Sequence, residues 1–336
     1  MMYRKLGLGF LGLAAIVTAG CTDLPPRSAA VLEGGSGYPA AVQNYDSHKR
    51  ETTVTVPAPP RRIIAYHQNN IEAAYRFSKP EYITAALGRY IRVDDEAGYA
   101  DLTQIPYYGA HGIDQETAVY LQPDLILGWY SSFSGRGIWS LGTTEFWLRR
   151  SVPCYMSLQW KNGYLKETLD GEYRYILDMG RIFQQEEVAQ RYVKEMQAAI
   201  EKTKEAMSRR SHKPRVMILD FYGTVISSYG NNRLPADMVR HLGGEMAALP
   251  NRPSKEEILM SDPDVIFLLY KTEPEIGIKE RFLQDRTYAS LRAVQQKQVY
   301  TLPLTYIYNG GFHTKDGLRI LAEGLERVPE REGEEK

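Results

Sequence analysis

The residues of this chain that could do chemistry fall into three groups. They are a pair of glutamates, a set of aromatic and cationic side chains that follow short apolar runs, and a cysteine near the start. Glu116 stands seven residues before Pro123-Asp124-Leu125-Ile126, and Glu256 seven residues before Pro263-Asp264-Val265-Ile266. In both places the acid opens a helix-like segment that ends at a Pro-Asp break and runs into a buried strand. An acid in a first helical turn complements the helix dipole, so each glutamate taken alone reads as a cap. Capping does not predict the same offset once in each half.

The second group comprises Tyr66, His67, Trp129, Tyr130, Arg136 and Trp139 in the first half. In the second half it comprises Tyr222, Tyr229, Arg233, Tyr270, Lys271, Tyr306 and Tyr308. In an open α/β lobe, ligands meet the loops beyond the carboxyl ends of the strands, which is where these residues fall. Rings supply flat apolar area at low entropic cost, while arginine and lysine contact anionic or carbonyl oxygens. The mixture suits a large anionic complex. For any single member, a core aromatic or a solvated charge is the alternative. His67 and His313 could each ligate a metal, but a lone histidine is more often only hydrogen-bonded, so no metal site is assigned.

The cysteine is Cys21. A basic start, Arg4-Lys5, precedes 15 uncharged residues, Leu6 to Gly20. A membrane-spanning helix needs ~20 apolar residues, so the stretch reads as a signal peptide over residues 1–20. Thr18-Ala19-Gly20-Cys21 resembles the lipobox of bacterial lipoproteins, in which the cysteine thiol takes a lipid. Residues 21–54, with Pro25-Pro26 and Gly34-Gly35-Ser36-Gly37, read as a lipid-anchored tether. Gly7-x-Gly9-x-x-Gly12 matches the dinucleotide fingerprint in form. It lies in the removable segment and not between a strand and a helix, so no cofactor is assigned.

Charge is balanced, 41 basic against 41 acidic, and loss of Arg4 and Lys5 leaves 39 against 41. No basic stripe suggests nucleic acid. Cys154 is the only other cysteine, which excludes a disulfide framework and a cysteine zinc site and suits a small buried residue. Twenty-four tyrosines accompany four tryptophans, a composition suited to wide binding clefts.

Arg62 to Tyr66 reads as a strand and Asn69 to Phe77 as a helix. A further strand lies within Pro80 to Gly88, a helix over Gln115 to Leu121 and a strand over Pro123 to Gly128. The second half repeats the scheme: strands at Arg215 to Tyr222, Pro263 to Leu269 and Gln298 to Leu302, and helices at Pro235 to Leu242, Ser254 to Met260 and Thr314 to Leu325. Strands alternating with helices predict parallel α/β lobes, 55–167 and 209–328, with a charged tail over 329–336. Between them, apolar residues at helical spacing (Ile176, Met179, Phe183, then Val188, Tyr192, Met196) predict a connecting helix over 168–208, with a kink near Gly180 or Gln184-Gln185.

Taken together, these features resemble the substrate-binding proteins of ABC importers for iron-siderophores, haem and cobalamin, the group with a helical backbone between its lobes. The resemblance runs over residues 55 to 328. It rests on Pro60-x-Arg62-Ile63-Ile64, the two Glu-x6-Pro-Asp signatures, the intervening helix and Leu242-Gly243-Gly244. It implies two Rossmann-like lobes joined by a long helix, a class III periplasmic binding protein, and a non-enzymatic, extracytoplasmic, monomeric chain. The partners it implies are a permease dimer with its ATPase, a small-molecule metal chelate, and a membrane met only through the lipid anchor. It also implies that Glu116 and Glu256, one per lobe, face arginines of the permease, with Glu257 as an alternative to Glu256. A ferric siderophore is the expected ligand; haem or a corrinoid is the alternative, with Tyr66, His67 or His313 as an axial candidate. An enzyme and a polysaccharide-binding surface lipoprotein are the rival classes, and neither needs the repeated glutamate. The stretch Tyr66 to Glu72 departs from the family pattern in being larger and more polar.

Overall fold

Alternating apolar residues at Ala40, Val42, Val54 and Val56 turn one face of an antiparallel hairpin inward, pairing β1 (Ala40–Tyr45) with β2 (Glu51–Val56). The computed structural model describes residues 37–89, 101–137, 139–157, 167–230, 232–271, 277–308 and 311–330, with backbone alone for Asp94–Asp95 and Gly98–Tyr99. Residues 1–20, read as a signal peptide, Cys21 and residues 331–336 lie outside these. The tether read over 21–54 is corrected at its far end. The period-two pattern of the hairpin lets it bury apolar surface, and the Asn44 amide brackets Met156 with hydrogen bonds of 3.1 and 3.0 Å.

The first lobe follows as β3 (Ile63–Tyr66), α1 (Gln68–Phe77), β4 (Ile83–Leu87), a two-residue ribbon β5 (Asp94–Asp95) and β6 (Gly98–Tyr99), and β7 (Tyr107–Gly109). Then come α2 (Gln115–Tyr120), β8 (Leu125–Gly128), α3 (Tyr130–Phe133), α4 (Thr144–Leu148) and β9 (Cys154–Met156). Its sheet is wholly parallel in the order β7-β4-β3-β8-β9. Strands β3, β4 and β8 are buried at every residue, as a sheet covered on both faces requires.

The connecting segment is two helices, α5 (Leu169–Phe183) and α6 (Glu186–Ser208), where one kinked helix was expected. Gln184 takes a left-handed conformation (φ 55°), and the Gln185 amide bonds back to the Gly180 carbonyl at 2.7 Å. Gly180 makes the corner feasible: a Cβ there would come within 2.5 Å of the Ala189 Cβ.

The second lobe comprises β10 (Arg215–Tyr222), β11 (Val225–Ser228), α7 (Leu234–His241), β12 (Glu245–Met246), α8 (Lys255–Ser261) and β13 (Val265–Tyr270). It ends with α9 (Ile278–Gln284), α10 (Arg292–Gln295), β14 (Val299–Pro303), α11 (Thr305–Tyr308) and α12 (Thr314–Glu326). Strands β12, β13 and β14 run parallel to β10, while β11 folds back antiparallel on it. Residues alternate across this sheet. Val216, Ile218 and Phe267 join the core shared with α5, α6 and α12, and Met217, Leu219 and Ile266 join a second core with Ile258 and Phe282.

The repeated Pro-Asp signature has a structural basis. The Asp124 amide donates to the Arg62 carbonyl (2.9 Å) and its carboxylate accepts the Arg61 and Arg62 amides. Asp264 does the same to Arg215, at 2.9 and 2.8 Å. Each aspartate thus ties its own strand to the first strand of its lobe. Gln122 and Asp262, both with positive φ, stop the preceding helix before the proline.

Candidate ligand-binding site

Strand order reverses at β3: the chain fills β4 and β7 on one side, then crosses to β8 on the other. The carboxyl ends of β3 and β8 therefore flank the crevice where open α/β sheets bind ligands. His67 leaves β3 and Trp129 leaves β8. Their rings stack at 3.7 Å between centroids, inclined by 17°. Trp139 packs against both Tyr66 (6.2 Å) and His67 (5.6 Å).

His67 sits at φ 70° and ψ 156°, a region nearly restricted to glycine and costing about 1–3 kcal/mol. Its amide donates to the Leu87 carbonyl at 2.8 Å and its carbonyl accepts from Ile71 at 3.1 Å, which holds the strain in place. Its Nε2 is buried with no hydrogen-bond partner among the described residues. Burial pushes the imidazole pKa down to about 3, so the ring is neutral. Tyr66 is committed to structure: its hydroxyl accepts the Ile113 amide at 3.1 Å, and burial raises its pKa to about 12.

The polar start of α1 proves to be buried, and its asparagines are hydrogen-bonded. Asn69 accepts the Trp129 indole N–H at 3.0 Å. Asn70 donates to the Tyr66 carbonyl at 2.8 Å and accepts from the Tyr175 hydroxyl at 3.0 Å. Sequence reasoning missed Asn69 and Tyr175. The only signal was a run of large polar residues where a strand enters a helix.

The second sheet reverses at β10, so the ends of β10 and β13 form its crevice. Lys271 reaches back to Asp220 at 2.5 Å and lies 3.9 Å from the centre of the Tyr222 ring. Lys271, read as a cation offered to a ligand, is thus also held by a buried carboxylate. Arg233 caps α7 beside this crevice, with its guanidinium 5.8 Å from the Tyr229 ring and 5.5 Å from the Tyr308 ring. Its Nε donates to Glu167 at 3.0 Å, and its Nη2 is buried without a partner among the described residues. Burial raises the Glu167 pKa, against the pull of Arg233. Burial also raises the Tyr229 pKa, with the Asp220 charge adding to it.

Tyr308 meets Trp129 at 6.0 Å, and this ring contact joins the two lobes' clusters. Tyr306 does not share it. It was read as part of a loop, but the segment is the helical turn α11, where residues two apart point to nearly opposite sides. Its ring stacks on His313 at 4.7 Å. His313 in turn pairs with Glu72 and Asp316, each at 3.3 Å, in a buried network that includes Arg76. Tyr130 lies under the Lys49 ammonium at 4.7 Å, and Arg136 stands exposed on the turn after α3. A separate groove of about 530 Å³ runs between β2 and α4 and shares no residue with these clusters. Among the described residues, no group of three or more His, Cys, Asp or Glu is placed to hold a metal ion.

Glu116 and Glu256 occupy the same place in the two lobes. Each is the second residue of its helix, after the N-caps Asp114 and Ser254, and each is exposed. Glu257 is different: its carboxylate accepts the Ser254 amide at 2.7 Å in a capping box.

Two α/β lobes, joined by helices and facing each other with aromatic clusters at their switch points, are the architecture of a solute-binding protein. The chain belongs to the periplasmic binding protein family, whose model matches residues 89–306. A periplasmic binding protein from Veillonella parvula superposes with a TM-score of 0.76 at 26% identity, over 86% of this chain and 92% of that one. An Fe3+-hydroxamate transport protein from Saccharomonospora viridis aligns at 0.65 and 19% identity, over 85% and 99%. The haem-binding protein RhuT from Roseiflexus aligns at 0.59 and 20% identity, over 80% and 98%. No curated protein matches the chain.

Proposed function

We propose that this chain is the substrate-binding lipoprotein of an ABC importer, which captures a ferric siderophore between its lobes and delivers it to the permease. The observation that carries the reading is the joined ring system Trp139–His67–Trp129–Tyr308, capped by Arg233 with an unpaired N–H edge. A siderophore saturates its own iron, so the protein needs flat apolar walls and a cationic edge for anionic oxygens. The solved structures of similar fold include an Fe3+-hydroxamate transport protein and a catecholate-siderophore binding protein. Anchoring through Cys21 follows from the lipobox, and docking through Glu116 and Glu256 from their matched, exposed positions. The role is binding and delivery, carried out outside the cytoplasm by a monomer, without catalysis.

A second reading, haem, is favoured by one specific feature. Of the three axial candidates, Tyr66 is bonded to Ile113 and His313 to carboxylates, which leaves the Nε2 of His67. Titration of the purified chain with ferric hydroxamate and catecholate chelates and with haemin separates the two. Quenching of tryptophan fluorescence by ferric chelates is expected. A Soret shift with haemin that is lost in His67→Ala, with no response to any chelate, overturns the siderophore assignment.

A further inference from the structure

The element that carries each docking glutamate is built twice, and the duplication extends further than the glutamate. From the N-cap onward, Asp114 matches Ser254, Glu116 matches Glu256, and the core-facing Ala118 matches Ile258. The left-handed stops Gln122 and Asp262 and the tying aspartates Asp124 and Asp264 complete the match. Between these, at the sixth residue after each N-cap, stand Tyr120 and Met260. Both are large and apolar in body, and they are 54% and 86% exposed. Each lies four residues after its glutamate, so the two side chains share one helix face a turn apart.

A single exposed apolar residue needs no explanation. Leu148 is 71% exposed and belongs to no repeated element. A pair at equivalent positions, each beside an exposed acid, is different, because the fold does not need either one there. Ala118 and Ile258 supply the core contact of these short helices. The chemistry is that of a bipartite contact: a carboxylate for a cation, and beside it an adaptable apolar knob, since methionine packs into irregular sockets and tyrosine offers a flat ring with a polar tip. Two copies of the unit suit a partner that presents its own surface twice.

We propose that each lobe engages one permease subunit through this unit. Glu116 with Tyr120 forms one contact and Glu256 with Met260 the other, and the permease dimer presents an apolar socket next to each basic residue. This rests on the reading of the two glutamates as docking residues. The charge at N2 sets encounter and register, and burial of the knob slows dissociation.

The test places a photo-crosslinking residue in the full chain, in its native host membranes. The knob variants are Tyr120→p-benzoylphenylalanine and Met260→p-benzoylphenylalanine. The same residue at Gln115 and Lys255, the first residues of the two helices, probes the glutamate end, and Leu148 serves as control. Adducts from positions 120 and 260 whose peptides belong to an ABC permease subunit, with none from 148, are expected. Permease adducts from 115 and 255 but not from 120 and 260 overturn the apolar contact and leave docking by the glutamates standing. Permease adducts from none of the four overturn the docking reading itself. An adduct between two copies of this chain at 120 or 260 assigns the knobs to self-association and overturns the proposal.

Discussion

The imidazole of His67 lies flat on the indole of Trp129, 3.7 Å between centroids, and closes the switch point of the first sheet. The stack holds a neutral ring at a backbone conformation that favours glycine, with a nitrogen facing no described partner. Strain and an unpaired polar atom at a strand end both cost stability, and sites keep such features where the arrangement serves binding.

The pH dependence of stability follows from this ring. The unfolded chain protonates His67 below ~6.5, whereas burial holds the folded pKa at about 3. The contribution of His67 is therefore fully present above ~6.5 and declines as pH falls, by at most ~1.4 kcal/mol per pH unit. Asp178 acts with the opposite sign. Burial raises its pKa to about 6, so its contribution is present at low pH and lost as pH rises through 6. Comparing His67→Phe with wild type at each pH cancels Asp178. Urea unfolding is expected to show the variant gaining on wild type by up to ~2 kcal/mol between pH 7.5 and pH 5. A difference that does not change with pH would mean the ring protonates freely in the folded state.

Arg233 is expected to carry the charge contact with the ligand. Its Nε is held by Glu167, which leaves the buried Nη2 edge for an anionic oxygen. Arg233→Gln should weaken ferric chelate binding about 10- to 100-fold, the range for a charge-assisted hydrogen bond. Glu167→Gln, which keeps the guanidinium but loosens its aim, should cost less. Fluorescence titration measures both, and equal losses in the two variants would argue against a direct Arg233 contact.

The adjacent glutamates of α8 are expected to separate cleanly. Glu257 closes a capping box, so Glu257→Ala should lower stability by about 1 kcal/mol and leave transport intact. Glu256 is exposed at N2, so Glu256→Ala combined with Glu116→Ala should impair uptake while ligand affinity and unfolding midpoint hold. Transport at the wild-type level in the Glu116/Glu256 double variant would return both residues to a capping role.

Much of this fold was legible because the signals were periodic. The apolar runs at Ile63–Tyr66, Leu125–Gly128 and Val265–Tyr270 read as buried strands, and Pro-Asp breaks marked where the second and third begin. The hairpin over Ala40–Val56 was hidden by its composition, since its alternation is short and its turn polar. Which rings face the site depends on the phase of short elements, and sequence does not fix that. Tyr306 and Tyr308 differ only by their turn in α11. The ion pair of Lys271 was not legible because its partner, Asp220, lies 51 residues away on the neighbouring strand. Asn69 and Glu167 act through side-chain hydrogen bonds across 60 and 66 residues, and these leave no periodic trace.

Helix α5 should keep the lobes near their present angle. Tyr175 donates to the Asn69 carbonyl of the first lobe at 2.9 Å, and Glu172, one turn earlier, accepts the Gly311 amide of the second lobe at 2.6 Å. The buried pair Glu72–His313 also ties α1 directly to the start of α12. Wide closure would break buried hydrogen bonds at about 1–3 kcal/mol each, whereas a few degrees of rotation would not. Small-angle scattering with and without a saturating ferric chelate should therefore give radii of gyration that agree within error. Glu172→Gln weakens one tie, so amide exchange over Gly311–Thr314 should accelerate in that variant while exchange in β3 and β8 is unchanged. A large compaction on binding, or unchanged exchange in Glu172→Gln, would show that the lobes are not held together through α5.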